Sequence, residues 1–160
     1  MANTAAVCNS FKQELFLGAH QFGSVTLISR SSLTAPTTDS FKMALYLASA
    51  TINKSTTVYT TTGEVSGTGY TAGGTAVTNG NAPALDTDTA HWTPSASVSW
   101  STVTLSTAFD AALLYNSTQT TGGNGRAVAV FTFSSQTVTA GNFSLTMPTN
   151  NGTTGLLRIA

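Results

Sequence analysis

The sequence predicts an all-β fold, a jelly-roll-like antiparallel β-sandwich with one short N-terminal helix. Many short segments rich in Val, Thr and aromatic residues alternate with clusters of Gly, Asn, Pro and Ser, which is typical of strands separated by turns. Only one segment has apolar residues at helical spacing. Because 160 residues suit one domain, we expect a single sandwich over residues 1–160, with residues 1–20 forming an N-terminal arm and short helix.

The predicted helix begins near Ser10, which can act as the N-cap with Gln13 at the capping-box position. Gly18 is expected to end it. Three apolar side chains share one face of this helix: Phe11, Leu15 and Phe16. A helix of about two turns is unstable alone, so this face must pack against the protein's own sheet or against a neighbouring subunit.

Nine strands are predicted after residue 23, each short and bounded by turn-forming residues. They cover residues 24–29, 41–48, 58–62, 75–78, 97–105, 111–115, 127–133, 142–147 and 156–159. Within 97–105 the alternation of polar and apolar residues shifts near Trp100, which predicts a β-bulge. Three loops are longer than hairpins need, and we expect them to bind something or to lie against neighbours: 63–74, 79–90 and 116–125.

Charged residues form only 8% of the chain, against about a quarter in typical soluble domains. Six basic and six acidic residues cancel, so the sequence lacks the basic surface that nucleic acids or anionic membranes attract, and we expect neither as a partner. A free domain usually keeps a charged surface for solubility. A chain with so few charges therefore indicates that partners cover much of its exterior.

The sequence predicts synthesis and assembly in the cytoplasm. It has no basic and apolar leader and no run of the ~18 apolar residues needed to span a bilayer. The one cysteine, Cys8, has no disulfide partner and no CxxC motif or histidine cluster near it. We therefore expect no metal and no cofactor.

Catalytic groups are few and scattered. Six carboxylates and two histidines are present, without a nucleophile beside a base and without a phosphate-binding glycine loop, so we expect no catalytic residue and no enzymatic activity. The densest polar cluster is Asp86, Asp88 and His91, next to Trp92. A turn, a cation site or a glycan-binding aromatic platform are the alternatives there, whereas Trp100 is expected to fill the core.

Several segments resemble a family of small tailed-bacteriophage virion proteins. The resemblance covers most of the chain and is carried by residues 8–15, 41–46 (FKMALY), 48–51, 59–74, 112–117, 126–130 and 157–160. It implies a structural protein of the phage particle with no catalytic residue. It favours a capsid decoration or cement protein with a jelly-roll-like sandwich, located in the virion.

The leading hypothesis is therefore a cement protein that bridges neighbouring copies of the major capsid protein and forms a homo-oligomer, either a dimer or a trimer. Six residues are candidate assembly contacts: Phe11, Leu15, Phe16, Glu64, Tyr70 and Trp92. A head-to-tail connector or tail component is one alternative. Another is a receptor- or glycan-binding module of a fibre or baseplate, which requires an exposed aromatic side chain such as Trp92.

Overall fold

The computed structural model describes residues 2–23 and 38–160, so the strand predicted at 24–29 lies outside the described residues. In the described part, eight strands form two antiparallel sheets and there is one short helix, which confirms the predicted all-β sandwich class. The elements are β1 (Ala6–Val7), α1 (Asn9–Phe16), β2 (Phe41–Leu47), β3 (Thr75–Val77), β4 (Ala84–Asp86), β5 (Thr89–Trp92), β6 (Val98–Thr121), β7 (Asn124–Leu145) and β8 (Leu157–Ile159). The larger sheet has the order β1-β7-β6-β2-β3 and the smaller one β4-β5-β8. These orders do not establish a jelly roll, which stays a prediction.

Strands β6 and β7 form one long hairpin of 24 and 22 residues. The sequence predicted four shorter strands and a loop at 116–125 here, and that prediction was wrong. Ladder pairs extend to Thr121 and Asn124, and the chain reverses through Gly122 and Gly123, which have φ values of 61° and 81°. Two consecutive residues with positive φ are characteristic of a type I′ turn, whose twist matches that of paired strands.

The core lies where β2 crosses the middle of the hairpin. β2 pairs with β6 from Phe41–Asn116 to Leu47–Phe109. Both faces of this region are covered, since consecutive residues such as Ala44 and Leu45 on β2 have no exposed surface. Continuous apolar runs of this kind mark a central strand with two covered faces.

The smaller sheet was not predicted, because its first two strands fall in and beside the expected loop at 79–90. β4 and β5 form a tight hairpin whose turn contains Thr87 at a φ of 52°. Trp92 at the end of β5 connects this sheet to the larger one. Its ring centroid lies 5.9 Å from that of Phe41 and 4.7 Å from that of Phe22, which itself stacks on Phe41 at 4.6 Å.

Helix α1 ends where the sequence predicted but begins differently. Cys8 is the N-cap, without a side-chain capping bond, and Ser10 lies inside the helix, so the predicted capping role of Ser10 was wrong. At the other end Gly18 has a φ of 65°. The amide of Gly18 donates to the Leu15 carbonyl, and the amide of Ala19 donates to that of Glu14, which is the Schellman arrangement.

Substitution of Gly74 tests the close approach of its loop to β2. A Cβ at Gly74 would lie 1.9 Å from the Met43 carbonyl oxygen, and the φ of Gly74 is +67°. We expect Gly74→Ala to lower the free energy of unfolding by about 2–5 kcal/mol, because backbone strain and steric overlap add. Urea denaturation measures the loss. Gly122→Ala is the matched control, since its φ is +61° and nothing lies within 4 Å of the added Cβ; an equal loss in both variants would contradict the expected steric effect.

Candidate assembly surface

Beyond the last pairing with β2, the hairpin continues as an arm formed by residues 98–108 of β6 and 136–145 of β7. We call this part the hairpin arm. Neither of its segments contains a charged residue. Its outward positions carry small polar side chains instead, among them the exposed Ser99, Thr107, Thr137 and Ser144. The arm is therefore an elongated surface of hydroxyl groups without net or local charge.

The inner face of the arm is aromatic. Phe143 lies between Trp100 and Phe109, with ring centroids 5.8 Å and 5.0 Å away, and Phe133 lies 5.5 Å from Phe143. The β6 members of this face are buried, as predicted for Trp100, which is 5% exposed. The β7 members are only partly buried. Burial therefore decreases across the arm from β6 towards β7.

Two residues with positive φ bend the arm. The β-bulge predicted near Trp100 lies at Thr102, where φ is 54° and the ladder register shifts. The amide of Thr102 donates to Asn142 Oδ1 at 2.9 Å, and the amide of Ala140, at a φ of 46°, donates to Thr104 Oγ1 at 3.1 Å. Side chains thus satisfy backbone donors that lose their ladder partners at the bulges.

The two edges of the arm differ. On the β6 edge, the Thr104 amide donates to the Thr68 carbonyl at 2.9 Å. Gly67 and Gly69 allow this approach, because a Cβ on either would lie 2.0 or 2.6 Å from a carbonyl oxygen of β6. On the β7 edge, the described strands pair only at Ala129 and Val130, with β1. The arm therefore has one edge covered by its own chain and one edge that no described strand pairs with.

Glu64 and Tyr70, two of the predicted assembly contacts, are part of an internal hydrogen-bond cluster. Glu64 is buried and accepts bonds from the hydroxyls of Tyr59 at 2.6 Å and Tyr70 at 2.8 Å, and from the amide of Gly73 at 2.8 Å. The Tyr70 hydroxyl also accepts from the amide of Leu45 on β2 at 3.0 Å. This cluster fixes the 59–74 loop to the larger sheet, so neither side chain presents its polar atoms at the surface.

Burial raises the pKa of all the tyrosines around this carboxylate. For Tyr59, burial is the largest cause and its hydrogen bond to Glu64 the next. Burial raises the pKa of Tyr115 to about 12, and its hydroxyl donates to the Gly73 carbonyl at 2.7 Å. These phenols therefore remain protonated donors at neutral pH, as a carboxylate acceptor requires.

A second buried polar network fixes α1 to the hairpin. Glu14 pairs with Arg126 of β7 and accepts a 2.7 Å bond from His20 Nε2. The other ring nitrogen of His20 lies 3.1 Å from the Asn116 amide nitrogen, which also donates to Asp39 at 2.7 Å. Sequence reasoning missed this network, because its members are up to 112 residues apart and no local spacing connects them.

The bonding pattern defines the state of His20. Its Nε2 donates to a carboxylate and its Nδ1 accepts from an amide NH2 group, which is the pattern of the neutral ring. The ring is fully buried. Burial lowers the pKa of His20 against the raising effect of Glu14, so a proton on Nδ1 is disfavoured and would face the Asn116 donor.

The other predicted contact residues differ in exposure. Phe11 and Trp92 are each 3% exposed and belong to the core, and Leu15 is partly buried against it. Phe16, in contrast, is 96% exposed at the end of α1, and the neighbouring Leu17, which the sequence analysis did not select, is 72% exposed. The helix therefore packs through Phe11 and leaves Phe16 and Leu17 accessible to a partner.

Asp86 and His91 face each other across the β4–β5 hairpin. Asp86 Oδ2 accepts from the Gly152 amide at 2.7 Å and lies 3.3 Å from His91 Nε2, while His91 Nδ1 bonds Asn150 at 3.2 Å. Within the described residues, no group of three or more His, Cys, Asp or Glu side chains converges in a way that could hold a metal ion. These side chains connect the small sheet to the loop before β8.

No protein-family model, curated protein or solved structure matches this chain. Among residues 2–23 and 38–160, no helix has the length and apolar character needed to cross a membrane.

Removal of the Glu64 carboxylate tests its structural role. We expect Glu64→Ala to lower the free energy of unfolding by about 3 kcal/mol or more, because two partly buried tyrosine hydroxyls and one buried amide lose their acceptor. Glu64→Gln keeps one acceptor oxygen and is expected to lose less. Thr62→Ala, in the exposed part of the same loop, is the control. Chemical denaturation measures all three, and a loss for Glu64→Ala no larger than the control would contradict the role.

His20 is expected to make the fold sensitive to acid. Since its folded-state pKa is lowered, the unfolded chain binds more protons than the folded one once the pH falls below about 6.5, and stability is lost progressively below that value. His20→Gln keeps a donor for Glu14 and an acceptor for Asn116 but cannot titrate. Its free energy of unfolding should change less between pH 7 and pH 5 than that of the original chain. His91→Gln is the control and should retain the acid-induced loss due to His20; equal pH dependence of the original chain and His20→Gln would disprove this assignment.

Proposed function

We propose that this chain is a structural protein of a tailed-phage particle, and that it acts as a cement protein on the outer capsid. In this role it bridges neighbouring copies of the major capsid protein. The observation that carries the proposal is the uncharged hairpin arm, a surface of hydroxyl groups along residues 98–108 and 136–145. The resemblance of most of the chain to small phage virion proteins favours the same role.

The distribution of the acidic residues adds to this argument. Three of the six acidic residues, Glu14, Asp39 and Glu64, are buried and hydrogen-bonded inside the chain. The exterior is consequently even poorer in charge than the composition suggests. A permanent interface profits from such a surface, because hydroxyls can exchange bonds with water for bonds with a partner without desolvation of unpaired ions.

Many copies on a symmetric shell increase the effect of a modest contact. When one molecule touches two capsid subunits, the second contact forms at a high effective concentration and the combined affinity exceeds that of either contact. The exposed Phe16 and Leu17 are suited to one such contact, because large apolar side chains on a surface commonly mark binding positions. The arm is suited to the other.

The two alternative functions, a glycan-binding module and a connector or tail component, make different demands on the structure. A glycan-binding module required Trp92 as an exposed platform, but its ring packs against the stacked pair of Phe22 and Phe41, and its Nε1 donates to the Asn81 carbonyl at 3.0 Å. No observation favours that role. A connector or tail component would use the same uncharged surface, and the number of copies per particle distinguishes it from a cement protein.

Copy number is the first experimental test. Quantitative mass spectrometry of gradient-purified particles of the phage that encodes this chain gives its ratio to the major capsid protein. We expect a ratio of the same order as the capsid protein. A few copies per particle would place the chain in the neck or tail, and absence from the particle would overturn the proposal.

The apolar end of α1 gives a second test. Particles that lack the chain should lose packaged DNA at a lower temperature, and addition of the purified protein should restore the original temperature. The double variant Phe16→Ser and Leu17→Ser should bind these particles at least tenfold more weakly. Leu85→Ser, which changes another exposed apolar side chain, is the control. Equal binding of the double variant and the control would remove α1 from the interface.

A further inference from the structure

The β7 strand has an edge whose described neighbours stop early. β6 pairs with β7 along its length, but on the other side β1 reaches only Ala129 and Val130. From residue 131 to Leu145, no described strand lies on that side. Within the described residues, the outward backbone amides and carbonyls of this edge have no strand partner, and an extended strand is the partner that fits such groups.

The edge lacks the chemical features that usually prevent strand addition. Edge strands are commonly protected by lysine, other charges or proline. Residues 127–157 contain no charged residue, and the proline in that range, Pro148, follows the end of β7. Bulges protect edges as well, and the register shifts in the arm bend β7 between Thr132 and Phe143. Two stretches keep a regular register with β6, residues 129–132 and 143–145.

The side chains beside this edge are incompletely buried. An apolar stripe on β7 consists of Phe131, Phe133, Val138, Phe143 and Leu145, all partly exposed. Their counterparts on β6, such as Val98 and Leu105, are 2% and 1% exposed. An added strand would therefore gain apolar burial in addition to backbone hydrogen bonds. The opposite, β6 edge of the arm already has such cover from Thr68 of the same chain.

We propose that two copies of this chain associate through the β7 edges of their hairpin arms, in antiparallel orientation around a two-fold axis. The occupant is a second copy because the edge is suited to itself. Around a two-fold axis, a residue near the axis lies close to the same residue of the second copy. Any charge there would therefore face a like charge. A long edge without charges is the condition that such self-pairing requires.

The regular stretches place the axis. In antiparallel pairing, residues 143–145 of one copy lie opposite the part of the other copy's 129–132 stretch that β1 leaves free. The axis then passes near Thr137, about midway along the strand between the two stretches, where the bulged segments of the two copies face each other. Thr137 is exposed, so its side chain can be changed without loss of core packing.

This inference extends the proposed function by naming a partner, yet it is tested on the isolated chain without any phage particle. Sedimentation velocity and native mass spectrometry over a concentration series are expected to show a monomer–dimer equilibrium. Thr137→Lys with Ser144→Lys should raise the dimer dissociation constant at least tenfold. The matched control is Ser101→Lys with Thr107→Lys, which adds the same two charges to exposed positions of β6 and should leave the dimer intact.

A cross-link provides a test that does not depend on stability. Cys8 is buried, and burial raises its pKa to about 12, so an engineered surface cysteine is the reactive thiol under mild oxidation. Thr137→Cys should form a disulfide-linked dimer, and Thr107→Cys should not. A chain that stays monomeric at several hundred micromolar, or edge and control variants that behave alike, would overturn the inference. Dimers that fail to bind capsids would instead contradict the proposed function alone.

Discussion

The ladder between β6 and β7 is the interaction on which the rest of the structure depends. Every other part of the larger sheet attaches to it: β2 on one side, β1 on the other, and β3 through β2. The hairpin is held together by its turn at Gly122 and Gly123, which needs no strain to reverse the chain. Because the ladder is continuous beyond β2, the molecule includes an arm whose inner face is aromatic and whose outer face is made of hydroxyls. The arm is thus a consequence of strand length.

Three of the six acidic residues serve as buried internal hydrogen-bond acceptors. Glu64 holds the 59–74 loop by accepting bonds from three donors. Glu14 holds α1 against β7 through Arg126 and His20, and Asp39 accepts from the Gln21 amide and from Asn116. A buried carboxylate is tolerated only when its oxygens are satisfied, and each of these has at least two donors. These buried carboxylates thus fix polar segments, such as the 59–74 loop, to the larger sheet.

The sequence predicted the fold class well and the element boundaries poorly, for identifiable reasons. Short β-branched runs and turn clusters were enough to predict an all-β chain, and the bulge near Trp100 was visible as a break in alternation. The hairpin was divided because Thr, Asn and Gln at 116–121 have loop-like composition, although they continue β6. Glu64 was selected for its place in a glycine-rich loop, without its tyrosine donors being foreseen. His20 and Asn116, 96 residues apart, share no local pattern, so only the folded chain brings them together.

The two edges of the arm differ in how they are protected from other strands. A strand edge in a monomeric protein is normally blocked, because an unblocked one recruits other chains. On the β6 edge, Gly67 and Gly69 bring the protein's own loop within hydrogen-bond distance. The β7 edge has neither a charge nor a proline from residue 131 to Leu145. A protein with so few charges has little electrostatic repulsion to keep its copies apart. If β7 were free, such a surface would favour uncontrolled association, whereas pairing with a defined second copy uses the edge and ends the assembly at a closed dimer.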